Sequence, residues 1–146
     1  MLHPNIALPV GPLQRFRSST VNKSIIISPK SPAAVGPYNH AVRVGDLLFC
    51  SGQIPLDPIS GQLVEGDIRD QTGQVLENIR SILVAQGLSF SQVVKSTVFL
   101  TNLADFTLMN EVYANYFRSD FPARSTVQVA ALPRGASVEI EVIAHY

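Results

Sequence analysis

"FPARSTVQV" occupies Phe121–Val129 and "ASVEIEV" occupies Ala136–Val142. In the first, Val127 and Val129 alternate with Arg124, Thr126 and Gln128; in the second, Val138, Ile140 and Val142 alternate with Glu139 and Glu141. A period of two marks half-buried strands. The apolar set of each is expected under covering helices, and the polar set, Arg124 with Glu139 and Glu141, on the opposite face. Such residues either decorate a wet face or build a site for a small carboxylate.

If these two strands paired as a hairpin across "PRGA", Leu132 would face Ser137 and Arg124 would lie opposite His145. Glu139 would then stand about 20 Å from Arg124 along the sheet, at about 3.3 Å per residue. So either the two strands are not neighbours, or a pocket that uses both side chains draws them from two subunits.

Upstream, "SIIIS" reads as a short first strand, and "HAVRVGDLLFCSGQIP" as two strands joined at Gly45-Asp46. Asp67 offers an N-cap to a segment in which Ile68, Val75, Leu76, Ile79, Leu83 and Leu88 recur at helical spacing, with Gly87 at its end. "VVKSTVFLT" is a strand. A second helix follows, with Phe106, Met109, Val112, Tyr113, Tyr116 and Phe117 on its apolar stripe, stopped before Pro122. The order β-β-β-α-β-α-β-β predicts an α+β domain, two helices covering one face of a single sheet. A bare second face in so apolar a chain calls for cover by another copy, hence a homo-oligomer.

The chain has 146 residues, 46% hydrophobic and 15% charged, enough for one compact core. With 11 basic and 11 acidic residues the net charge is zero, so no overall field favours nucleic acid or a membrane surface. No apolar run reaches the roughly 20 residues of a membrane-spanning helix. The single cysteine, Cys50, sits in an apolar run and reads as a buried, inert thiol. His3, His40 and His145 are isolated and supply no metal-ligand set. Residues 1–23 contain Arg and Ser/Thr but no acid, the bias of a mitochondrial transit peptide; the domain is expected over 24–146. The alternative is a tail without an address, in a cytoplasmic protein.

Arg124 follows Pro122 and Ala123, so a restricted chain presents a guanidinium suited to gripping a carboxylate through two parallel bonds. Alternatively it is a solvated arginine. Glu139 is either a general base on water or a wet-face glutamate, with Glu141 its competitor at the same parity. Tyr38 follows a Gly-Pro pair and is aimed by a turn; Ser51 precedes Gly52, where backbone can approach a ligand closely. Asn110 lies on the second helix, either outward or reaching across an interface.

The segments "VGPYNHAVRVGDLLFCSGQIPLDPISGQLV", "QVLENIRSILVAQGLSFSQVVKSTVFLTNLADFTLMNEVY" and "FPARSTVQVAALPRGASVEIEVIA" closely resemble the Rid/YjgF family. That resemblance implies a chorismate-mutase-like homotrimer with clefts between subunits. It implies hydrolysis of reactive 2-imino and 2-enamino acids, made by pyridoxal-phosphate enzymes, to 2-oxo acids and ammonia. In it Arg124 would hold the substrate carboxylate and Glu139 would position the attacking water, with Tyr38, Ser51 and Asn110 in the pocket and no metal or cofactor. Thr126 stands where many members have cysteine, so a thiol role is not available here, but its backbone can still donate and accept hydrogen bonds and it keeps its place in the pocket. Other classes consistent with the residues are a non-catalytic module binding small carboxylates, and a ribonuclease or translation inhibitor.

Overall fold

The computed structural model describes residues 22–146; the expected leader falls almost wholly outside them. Six strands and two helices follow one another as expected: β1 (Lys23–Ile26), β2 (Ala41–Val44), β3 (Leu47–Gln53), α1 (Ile68–Ala85), β4 (Val93–Leu100), α2 (Phe106–Tyr116), β5 (Ala123–Gln128) and β6 (Val138–His145). Both helices cover one face of a single mixed sheet. The fold is α+β.

Local chemistry sets the boundaries. The Asp67 side chain accepts from the Arg69 and Asp70 amides, while Asp70 reaches back to the Asp67 N–H, closing a capping box. Gly87, at φ 69°, ends α1 one residue past its C-cap. The second helix is shorter than its apolar stripe: Leu103–Asp105 form a 3₁₀ turn, and Phe117 is already the C-cap. Fully buried Val75, Leu76, Ile79, Ile82 and Leu83 of α1 pack over Val98, Leu100, Val138, Ile140 and Val142 of the sheet. Cys50 joins this core, and burial pushes its thiol up to about 12.

The spatial order is β1-β2-β3-β6-β4-β5, so β5 and β6 are not neighbours. A parallel pair needs a crossover. The helix α2 supplies it, laying β5 parallel to β4, while β6 inserts antiparallel between β3 and β4. The hairpin register therefore does not arise.

This topology also corrects the expected faces. Arg124, Thr126 and Gln128 are level with Ser96, Val98 and Leu100, whose side chains are buried on the helix side. Glu139 and Glu141 are level with Phe99 and Thr97, on the open side. Arg124 and Glu139 therefore lie on opposite faces of the sheet, and Val127, expected under the helices, is on the open face with 43% of its surface exposed. The reason is position: β5 is an edge strand, and its helix-side residues flank α2 instead of lying beneath both helices.

The two residues Ser51 and Gly52 on β3 oppose the single Glu141 on β6, between the pairs Cys50–Val142 and Gln53–Ile140. This is a β-bulge, a feature that re-aims side chains beside sites.

Candidate functional site

On the helix side, Arg124 is the second residue of β5, two positions after Pro122. Its guanidinium carbon lies 4.7 Å from the Tyr113 ring centroid and 5.6 Å from that of Phe106, both on α2. Tyr113 is itself fixed, stacked on Phe117 at 4.3 Å and hydrogen-bonded through its hydroxyl to buried Ser96 Oγ at 2.7 Å. Burial raises the phenol's pKa, against the Ser96 bond and the Arg124 charge, so Tyr113 is a neutral platform under a cation. Among the described residues, no carboxylate lies within ion-pair distance of Arg124; the pairs present join Arg69 to Asp67 and Glu111, and Arg80 to Glu77. The guanidinium fork is thus held by π faces and free to receive an anion. Arg124, Asn110, Tyr113, Ala114, Phe121 and Pro122 line a cavity of about 340 Å³. Thr126, two residues along the same side of β5, has a buried hydroxyl with no hydrogen-bond partner.

On the open side a second cavity, of about 260 Å³, is lined by Val35, Tyr38, Ser51, Gly52, Ile54, Pro133 and Glu139. Here the bulge brings Gly52 against Glu139: a Cβ on Gly52 would collide with the Glu139 carboxylate. Only glycine permits that approach. Glu139 is half-buried and lines this cavity, whereas Glu141 is exposed. Burial first, and repulsion from Glu141 second, hold the Glu139 carboxyl above the usual carboxylate range, a shift toward the working range of a general base. The Ser51 hydroxyl donates to the Asn39 carbonyl at 2.6 Å, leaving its lone pairs for a donor on a ligand. The Tyr38 hydroxyl accepts from the Val35 amide at 3.3 Å, which ties its ring to the turn that aims it.

The structure therefore gathers Arg124 with Asn110, and Tyr38 with Ser51 and Glu139, but does not bring the two sets together in one chain. By register Arg124 and Glu139 are two strands and three residues apart, about 10 Å in each direction, besides being on opposite faces. Sequence reading missed Phe106 and Tyr113 as supports for Arg124, because they share the apolar period of α2. It noted Gly52 only as a possible close approach; the adjacent Ser-Gly pair after an apolar run was the available signal.

The α+β domain thus offers an unpaired guanidinium on one face and a carboxylate with a raised pKa on the other, each lining a cavity. Residues 28–146 match the family model described as Endoribonuclease L-PSP. A 2-iminobutanoate/2-iminopropanoate deaminase of Bos taurus is 51% identical over 126 residues, spanning 86% of this chain and 92% of that one. Reactive Intermediate Deaminase A of Arabidopsis thaliana is 50% identical, spanning 87% of this chain and 68% of its own. Among solved structures, E. coli TdcF with bound serine superimposes with a TM-score of 0.80 at 44% identity, covering 84% of this chain and 98% of that one. RidA from Psychrobacter sp. gives 0.81 at 47%, covering 84% and 99%. The chain belongs to the Rid/YjgF family.

Proposed function

We propose that the protein is a hydrolytic deaminase of 2-imino and 2-enamino acids, acting in clefts between the subunits of a homotrimer. The observation that carries this is the division of the site, with an anchor for a carboxylate on one face and a base on the other, each in its own open cavity. A second copy set against the open face would join one chain's Glu139 to another's Arg124. That face supplies a reason to associate: Ile25, Val42, Phe49 and Ile143 form one apolar row across four strands, with Ile25 57% and Phe49 41% exposed. The names of the mammalian and plant relatives support the reaction, and serine on TdcF supports a ligand of amino-acid size.

The chemistry fits the parts. Arg124 grips the substrate carboxylate through two charge-assisted bonds, with Asn110 and Thr126 beside it. The iminium carbon is already electrophilic. Glu139 orients a water and takes its proton as oxygen bonds to that carbon; the resulting carbinolamine expels ammonia and leaves the 2-oxo acid. The balance is one imine and one water to one oxo acid and one ammonia. Ser51 accepts from the substrate nitrogen, and Tyr38 closes the cavity. Removing such imines protects pyridoxal-phosphate enzymes from attack by their own products.

The test is to generate 2-aminoacrylate from serine with a dehydratase and follow pyruvate release. Wild-type protein should accelerate it and Arg124→Ala should not. No acceleration by wild type would leave a carboxylate-binding module. The family description favours a ribonuclease as second reading; the zero net charge offers no field for RNA. Degradation of a fluorescent RNA that Arg124→Ala abolishes would revive it. The composition of residues 1–23 supports a mitochondrial matrix address, tested by imaging fusions with and without them.

A further inference from the structure

Behind the Glu139 cavity lies a buried histidine that the reaction does not use. His40 is 6% exposed and sits just before β2. Its ring bridges two points of the irregular connection between β1 and β2. The Ser28 amide donates to Nδ1 at 2.8 Å, so Nδ1 carries no proton. Nε2 therefore bears the hydrogen and donates it to the Pro32 carbonyl, also at 2.8 Å. The ring is neutral and fixed in one tautomer, because a proton on Nδ1 would set two N–H groups against each other.

The backbone around this ring leads directly into the site. The His40 carbonyl accepts the Ser51 amide at 3.0 Å, and the neighbouring Asn39 carbonyl accepts the Ser51 hydroxyl at 2.6 Å. Tyr38 is two residues upstream. A small cavity of about 20 Å³ is lined by Tyr38, His40, Gly52 and Gln53 among others, and Tyr38 and Gly52 also line the Glu139 cavity. No strand or helix fixes residues 27–40. The Ser28 and Ser31 hydroxyls tie the start of this segment to the Ser81 and Asn78 carbonyls of α1, and the imidazole ties Ser28 and Pro32 to the start of β2.

We infer that His40 is a positioning residue: its neutral ring latches residues 28–32 to the start of β2 and so holds Tyr38 and Ser51 in register with Glu139, without touching substrate. This rests on the deaminase reading, and it divides labour between the two half-sites. Loosening the latch should disturb the hydrolytic half and spare the Arg124 anchor, which belongs to the other face.

The experiment compares His40→Leu, which keeps bulk but makes neither bond, with His40→Gln, whose amide oxygen accepts from Ser28 and whose amide nitrogen donates to Pro32. In the dehydratase-coupled assay, kcat of His40→Leu should fall about tenfold or more, with KM within about twofold, since a displacement of about 1 Å carries a loss of up to about 10²-fold. His40→Gln should recover most of kcat. An unchanged kcat in His40→Leu, a loss carried mainly by KM, or failure of His40→Gln to recover would each overturn the inference. Should His40→Leu not fold, ¹⁵N spectroscopy of the wild-type ring decides. A protonated Nε2 and an Nδ1 that only accepts are expected, and the opposite tautomer would overturn the latch. If wild type fails to accelerate pyruvate release, the deaminase reading falls, while the tautomer is still read separately.

Discussion

Replacing Gly52 by alanine separates folding from catalysis in this protein. The added Cβ would lie 2.8 Å from Glu139 Cδ and 3.1 Å from Cγ, and closer still to a carboxylate oxygen. Ordinary contact between such atoms is about 4 Å, so the carboxylate must retreat by about 1 Å. It is the far end of a side chain and can do so cheaply. Gly52 has no positive φ, so alanine meets no backbone strain there, and losing glycine from the unfolded chain contributes about 0.4–1 kcal/mol in favour of folding. The melting temperature should stay within about 5 °C of wild type. A general base displaced by 1 Å is another matter: the expected loss is about 10²-fold in kcat, or about 2.7 kcal/mol. KM should change little, because Arg124 is on the opposite face. The measurements are coupled pyruvate release and thermal melting on the same preparation, with Glu139→Gln as reference. Full activity in Gly52→Ala would refute the assignment of Glu139 as the base in its observed position.

Arg124→Lys keeps the charge but loses the planar fork and the ring contacts; kcat/KM should fall about 30-fold, about 2 kcal/mol, mainly through KM, and steady-state kinetics will show it. Tyr113→Leu should likewise raise KM, whereas Tyr113→Phe should bind normally yet lose about 1–2 kcal/mol in urea unfolding, because buried Ser96 Oγ is left without its partner. Activity should decline as pH falls through the raised Glu139 value, and Glu141→Gln should move that limb to lower pH by removing the repulsion; an unmoved limb argues against Glu139 as the titrating base. The same shift has a stability sign. With the folded value above the unfolded one, Glu139's contribution is fully present below the ordinary carboxylate range and lost as pH rises through the raised value. Glu139→Gln should flatten that slope in a urea series.

Much of this architecture was legible from residue patterns. Asp67 before a 3.6-period stripe marked the start of α1, Gly87 its end, and alternation marked β4, β5 and β6, because caps and periods report local geometry that each segment carries with it. The sites were only partly legible. Tyr113 was hidden in the stripe of α2, since a residue that packs and one that supports a guanidinium have the same period. Glu139 and Glu141 were equivalent by parity; the bulge at Ser51-Gly52 and their unequal burial are what distinguish their surroundings.

What the sequence by itself determined is which residues share a face within each strand and helix. Which strand lies beside which, and which face of the edge strand β5 meets α2, was decided only by tertiary structure: β6 inserts between β3 and β4, and α2 lays β5 parallel to β4. The physical reason is that side-chain alternation is a property of one chain segment, whereas strand order depends on long-range backbone pairing and on burying both helices over one core. That pairing is what set Arg124 and Glu139 on opposite sides of the sheet.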